Sequence, residues 1–402
     1  MTSKVKSQEA SAQRFWLASI FRNETVGGIV LFITAITAVL LANSKYSQNY
    51  QDLINFHLGF GSLDFSIAHW SAELLLAVFF FVVGIELKHE IVNGSLRNIR
   101  EALIPIASAI GGIFFSAVIF ILLNSGTSQV SAWATPISTD VAFAIAVLSI
   151  FGKKLPIELR AFLLTLAVVN DLIAILIVAV VYGAKLNFVW LIISAISIYV
   201  FWLFQHKIII SSISLIPIAF FTWYATVQSG IHATVSGVAL GLMMRVNTKP
   251  NERISLGDRV EFALRPFTAA ICVPAFAFTA VGVPISNFNF ADLATNNLAL
   301  GIFLGFLIGQ PLGVTSVAFA VSRITKIKLP ANLSWWDIYV VGTLAAIGFT
   351  VALLVSELSL TSDINALETS KLTILFSNVL AIVIAVIAIQ IRTHFREVAH
   401  KG

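Results

Sequence analysis

The segment from Ala161 to Val181 reads AFLLTLAVVNDLIAILIVAVV and carries a single charge, Asp171. A run this long and apolar has one stable home, a helix across a bilayer with every backbone group bonded within the helix. An ionised Asp at the bilayer centre costs about 2.5–3.5 kcal/mol even on the lenient insertion scale. A chain that needed only a greasy helix would not keep it, so the residue reads as an ion or proton site. The stretch Ser131–Phe151 (SAWATPISTDVAFAIAVLSIF) also has one charge, Asp140.

Such stretches recur at about 25–42, 69–88, 102–124, 132–151, 159–182, 188–206, 210–226, 229–246, 262–282, 298–322, 336–357 and 371–392. The expected fold is therefore an all-α polytopic membrane protein of about twelve transmembrane helices. Only 11% of residues are charged against 58% hydrophobic, too little polar surface for a soluble domain. The lone cysteine, Cys272, sits in an apolar run and reads as packing. The first span follows a basic tail, but no small-residue cleavage site follows it, so it does not read as a signal peptide.

Orientation comes from the basic residues. The N-terminal tail, the loops after even-numbered spans and the C-terminus hold 22 of the 25 Lys and Arg, leaving Lys45, Lys185 and Lys371 on the other side. The positive-inside rule then puts both termini in the cytoplasm. The basic balance describes an inner rim rather than a nucleic-acid surface, and no basic motif interleaved with aromatics is present. No linker divides the chain, so residues 1–402 read as a single membrane transport domain. External residues 44–69 alternate in polarity around Gly59-Phe60-Gly61-Ser62, which suggests a β-hairpin. A hairpin alone is marginal in water, so a second copy is a natural partner for it.

Span 4 places Thr135-Pro136 before Ser138-Thr139-Asp140, a pattern that breaks a helix and leaves side chains to satisfy the freed backbone. Span 11 has Gly342 and Gly348-Phe349-Thr350, a weaker interruption. Two interrupted spans in different halves of a chain point to an ion site at the membrane midplane. Asp140 reads equally as an ion ligand or as a cap for the broken helices. Span 10 has glycines at 301, 305, 309 and 313, a face on which another helix can pack closely, with Gln310 inside it.

No Lys or Arg lies near the middle of any span, so Asp171 has no evident salt-bridge partner. Burial then favours its neutralisation by a proton or a small cation. Intramembrane aspartyl proteolysis is the enzyme alternative, but the contexts Ser-Thr-Asp and Asn-Asp lack the Gly-x-Gly-Asp setting. A non-transporting sensor is the third possibility. His232, in or near span 8, reads as a packed hydrogen-bonding residue. No nucleotide or cofactor motif is evident, and hard oxygen ligands suit Na+ or Li+.

Six segments in order resemble the bacterial NhaA family of Na+/H+ antiporters: Ala77–Glu90 (AVFFFVVGIELKHE), Trp133–Phe143 (WATPISTDVAF), Leu163–Ala174 (LLTLAVVNDLIA), Ser229–Thr234 (SGIHAT), Leu307–Val314 (LIGQPLGV) and Ala346–Thr350 (AIGFT). The resemblance implies inverted repeats, crossed interrupted spans 4 and 11, and an ion site that brings Asp171 beside Asp140 with Thr139 as an oxygen ligand. It implies Na+, Li+ and H+ as the transported ions, the bacterial inner membrane as location, and a homodimer joined partly by the hairpin. Glu86, Glu90 and Glu261 match positions of the cytoplasmic entrance and its pH response, and Glu73 matches a further acidic position. Glu86 and Glu90 also read as solvated residues at a helix end.

The chain departs from that pattern at three places. The usual Asp-Asp of span 5 is Asn170-Asp171, and the usual Lys of span 10 is Gln310. The family's buried Asp–Lys pair thus becomes two neutral amides, for which an Asn170–Gln310 hydrogen bond is expected. Near Glu261, where the family often has histidines, stand Phe262 and Arg265, neither of which switches charge near neutral pH. One titrating carboxylate implies electroneutral exchange of one H+ for one Na+. A proton carried also by Asp140 would restore a two-proton, potential-driven cycle. In the wider superfamily, Asn-Asp is the pattern of the electroneutral branch.

Overall fold

The computed structural model describes residues 24–59, 61–183, 186–207, 212–250, 252–285, 295–330 and 332–401. The basic N-terminal tail, Phe60 of the external loop, Lys185 and the first residues of the seventh expected span (210–211) lie outside the described residues.

Among the described residues, eight helices are long and apolar enough to cross a bilayer alone, and two bent helix pairs pass the same test together. The chain is a polytopic helical membrane protein. In order come α1 (Glu24–Ala42), the short α2 (Ser47–Ile54), α3 (Ile67–Val92), α4 (Ile99–Asn124), α5 (Val141–Phe151), α6 (Ile157–Val181) and α7 (Phe188–Lys207). Then follow α8 (Ile216–Gln228), α9 (Thr234–Met243), α10 (Leu256–Val281), α11 (Asn297–Thr325), α12 (Trp335–Ala345), α13 (Thr350–Ser359) and α14 (Ile364–Lys401). The seventh and eighth expected spans appear as α8 and α9, of 13 and 10 residues. Both fall short of the ~20 residues that a straight crossing needs.

Between α2 and α3, His57–Leu58 (β1) pairs antiparallel with Phe65–Ser66 (β2). The ladder is two residue pairs long, because Ser47–Ile54 is helical and Gly61–Leu63 forms a 3₁₀ turn. The periodicity of α2 escapes a reading tuned to alternation: Tyr50 and Ile54, four apart, are its buried residues.

Among the described residues, three long helices contain a wide π turn, at Ser71–Leu75 in α3, Thr268–Cys272 in α10 and Gly305–Gly309 in α11. Two of these precede a proline, Pro274 and Pro311. Proline lacks a donor and crowds the turn before it, and a locally wider helix absorbs both effects.

The glycine face on α11 packs against α4. A Cβ on Gly313 would lie 2.2 Å from the Gly111 carbonyl oxygen, so the two backbones touch through glycine on both sides. Elsewhere polar side chains join helices in pairs. Ser194 and Ser197 on α7 bond Thr226 and Thr222 on α8 at 2.8 and 2.7 Å. One apolar cluster runs from Leu31 to Ile389 and surrounds the bent pairs.

Candidate ion-binding site

The two bent pairs are Ser128–Ile137 with α5, at 41°, and α12 with α13, at 49°. Each break frees backbone groups in an apolar interior, and each such group needs a partner. The partners come from the opposite pair. The Asp140 amide donates to the Ile347 carbonyl at 2.6 Å, and Thr139 Oγ1 donates to the Ala345 carbonyl at 2.8 Å. Gly348 makes this crossing possible, since a Cβ there would stand 2.1 Å from the Ser138 carbonyl oxygen.

Asp140 is the N-cap of α5, its Oδ1 accepting from the Phe143 amide at 3.4 Å. Its Oδ2 accepts from Thr350 Oγ1 at 3.1 Å and from the Thr350 amide at 3.4 Å, the first residue of α13. One carboxylate thus faces the N-termini of two half-helices, where the unsatisfied N–H groups carry positive partial charge. The capping reading of Asp140 holds in this geometry, and the same side chain also faces a cavity.

Asp171 sits on α6, 6% exposed, and its Oδ1 has no hydrogen-bond partner among the described residues. A cavity of about 340 Å³ joins Asp171 to Asp140, Thr139 and Thr350, and opens towards Glu86, Glu90, Glu261 and Arg265. Two carboxylates and two hydroxyls therefore line one space, hard oxygen groups of the kind that suit a small hard cation.

Asn170 and Gln310 do not bond to each other. Asn170 Nδ2 donates to the Ile137 carbonyl and to Thr139 Oγ1, at 2.9 and 2.8 Å. Gln310 Nε2 donates to the same Ile137 carbonyl at 2.9 Å. The expected direct bond is replaced by convergence on one carbonyl, because the broken helix leaves that oxygen without a helical donor. Asn170 and Gln310 are buried, at 1% each, and together hold the end of the 3₁₀ turn Thr135–Ile137.

At the cavity mouth Arg265 donates to Glu86 and, at 3.0 Å, to Glu261. A guanidinium thus ties α3 to α10 across the opening. Glu90 lines the same cavity while accepting from the Ser95 amide and hydroxyl at 2.9 and 2.8 Å. Glu73 does not join this group. It lies 13 residues before Glu86, about 20 Å along the helix. There its Oε2 accepts from the Ala233 amide at 3.0 Å, and its Oε1 lies 3.2 Å from His232 Nε2. His232 also meets Thr234 Oγ1 at 3.0 Å, so it is a packed hydrogen-bonding residue.

Two residues of the site had no assigned part in the sequence reading. Thr350 ends the AIGFT segment, yet its bond to Asp140 depends on the crossing. Asn378 on α14 donates to the Gly348 carbonyl at 2.8 Å. Its signal is an amide within the apolar stretch 371–392, which it shares with Gln390, the same kind of signal as Gln310.

Residues 18–389 match the Na+/H+ antiporter 1 family. The chain belongs to that family. It is 40% identical over 393 residues to the Na(+)/H(+) antiporter NhaA of Streptomyces antibioticus, covering 97% of this chain and 82% of the relative. It is 41% identical over 395 residues to the NhaA of Streptomyces avermitilis, covering 97% and 85%. The corresponding protein of Mycolicibacterium smegmatis is 40% identical over 382 residues, covering 94% and 88%. Membership of this family accounts for the six ordered segments, four of which supply residues named above around the Asp140–Asp171 cavity or its mouth.

Proposed function

We propose that this chain is a secondary active Na+(Li+)/H+ antiporter of the bacterial inner membrane that exchanges one proton for one cation without moving net charge. The family supports a transporter rather than an enzyme, and its members named above are Na+/H+ antiporters. In this reading each bent pair is one interrupted span, the chain makes twelve crossings as inverted repeats, and both termini are cytoplasmic. The two-stranded ladder before α3 joins two copies into a homodimer.

One observation carries the stoichiometry. Both oxygens of Asp140 hold donors from the half-helices, whereas Asp171 lines the cavity and its Oδ1 has no donor among the described residues. Protonating Asp140 would weaken two caps at once. Protonating Asp171 costs no existing bond at that oxygen. Asp171 therefore alternates between H+ and Na+, while Asp140, Thr139 and Thr350 supply further oxygens to the cation. With Asn170 and Gln310 neutral and Asp140 ionised throughout, no second buried group changes its charge. The loaded site has the same net charge with either ion.

Exchange through Asp171 makes one variant decisive. In proteoliposomes with an imposed Na+ gradient, Asp171→Asn abolishes Na+-driven proton movement. Asp140→Asn weakens Na+ affinity and keeps measurable exchange. Near-normal exchange by Asp171→Asn would overturn the assignment.

A further inference from the structure

The last helix, α14, runs alongside the bent pair α12–α13 and bonds to it at three levels. At the first, Lys371 Nζ lies 3.0 Å from Glu357 Oε1, and the Ser370 and Ser356 hydroxyls meet at 2.7 Å. At the second, Asn378 donates to the Gly348 carbonyl inside the break, at 2.8 Å. At the third, Arg392 grips Asp337 with two nitrogens, Nε to Oδ1 at 2.8 Å and Nη2 to Oδ2 at 3.0 Å. Arg396, one turn further, adds a contact to Asp337 Oδ2 at 3.0 Å and another to the Asn332 carbonyl at 2.6 Å.

The three levels share one face. Lys371, Asn378, Ala385 and Arg392 follow each other at seven-residue intervals, which keeps them on one side of a helix to within about 20° per repeat. Ala385, the small member, is fully buried.

Asp337 has no solvent exposure. It closes a capping box at the start of α12, its Oδ2 accepting from the Ser334 amide and hydroxyl at 2.8 Å each. From Asp337 to Ala345 is eight residues, about 12 Å of continuous helix. At that far end stand the Ala345 and Ile347 carbonyls, which bind Thr139 and Asp140. A buried ion pair adds little net stability compared with an apolar contact, but its bidentate geometry fixes position.

We infer that α14 is a splint for the broken span and that Asp337, Arg392 and Arg396 are its positioning clamp. The clamp fixes α12 along its axis, and so sets the two carbonyls that hold Thr139 and Asp140 in place. These residues touch no ion and act through the crossing. The transport readout of this inference rests on the antiport reading; the amide readout does not.

The test uses the full chain in lipid nanodiscs and in proteoliposomes. In Arg392→Gln, backbone amides of residues 345–351 exchange with deuterium about tenfold faster than in the parent. The KM for Na+ rises about tenfold, while the maximal rate per inserted molecule stays within twofold. Arg392→Lys, which keeps the charge and loses the fork, moves both readouts by about threefold. It carries the test alone if the glutamine variant does not insert. Unchanged amide protection, or a lower maximal rate with unchanged KM, would show a merely structural pair and overturn the clamp. If the parent itself exchanges no Na+ for protons, the antiport reading fails, and amide protection alone decides the inference.

Discussion

Asp171 and Asp140 differ in what their oxygens touch, and the sequence showed that difference only in part, since the broken-helix pattern let Asp140 read equally as an ion ligand or as a cap. Both read as lone membrane carboxylates. Only the crossing puts Thr350 against Asp140, while Asp171 lines the cavity with an Oδ1 that has no donor among the described residues. Asp140→Ala should therefore cost stability as well as affinity. Losing a helix cap costs about 1 kcal/mol, and Asp140 faces two helix starts, so a Tm about 2 °C lower is expected by thermal unfolding in detergent. The amide pair has its own test. Gln310→Lys places an uncompensated cation beside Asn170, at a cost of about 3–5 kcal/mol if it stays charged. Adding Asn170→Asp should recover most of that loss, because both side chains already reach the Ile137 carbonyl. A double variant no more stable than Gln310→Lys alone would contradict that proximity.

Elements were legible where a single helix crosses alone and obscure where a helix depends on its neighbours. Pro136 with its following polar residues marked one break, and the structure bends there by 41°. Gly348 alone was a weak mark, yet the second pair bends by 49° at that break, and the Ser138 carbonyl beside Gly348 leaves room for no side chain. Gly348→Ala should therefore separate the two breaks, reduce Na+ affinity and destabilise the protein by about 1–3 kcal/mol, the usual cost of overpacking. Measured Na+ KM and Tm both equal to the parent's would contradict the crossing. The π turns were invisible for a related reason. They show no change in apolar period, and only the prolines after two of them hint at a distorted helix.

At the scale of the whole molecule, the cavity joins a buried carboxylate to a mouth whose charge is held by Arg265 between Glu86 and Glu261. The sequence named all three residues, but not that one guanidinium bridges two helices. A guanidinium keeps its charge across the physiological range, whereas a histidine loses it as pH rises through about 6.5. Arg265→His should therefore add a step to the pH–rate profile. Above that pH the two glutamates lose their cation, the mouth becomes more negative and Na+ affinity rises. Below it, affinity returns towards that of the parent. A variant profile that parallels the parent's would remove Arg265 from the entrance. The charge count gives the most direct test of the whole account. Na+-driven proton movement is measured in proteoliposomes whose membrane potential is set by K+ and valinomycin. The account predicts a rate that stays constant as the potential is varied, because Asp171 carries one H+ or one Na+. A rate that follows the potential would mean that a second proton crosses, and would contradict exchange through Asp171 alone.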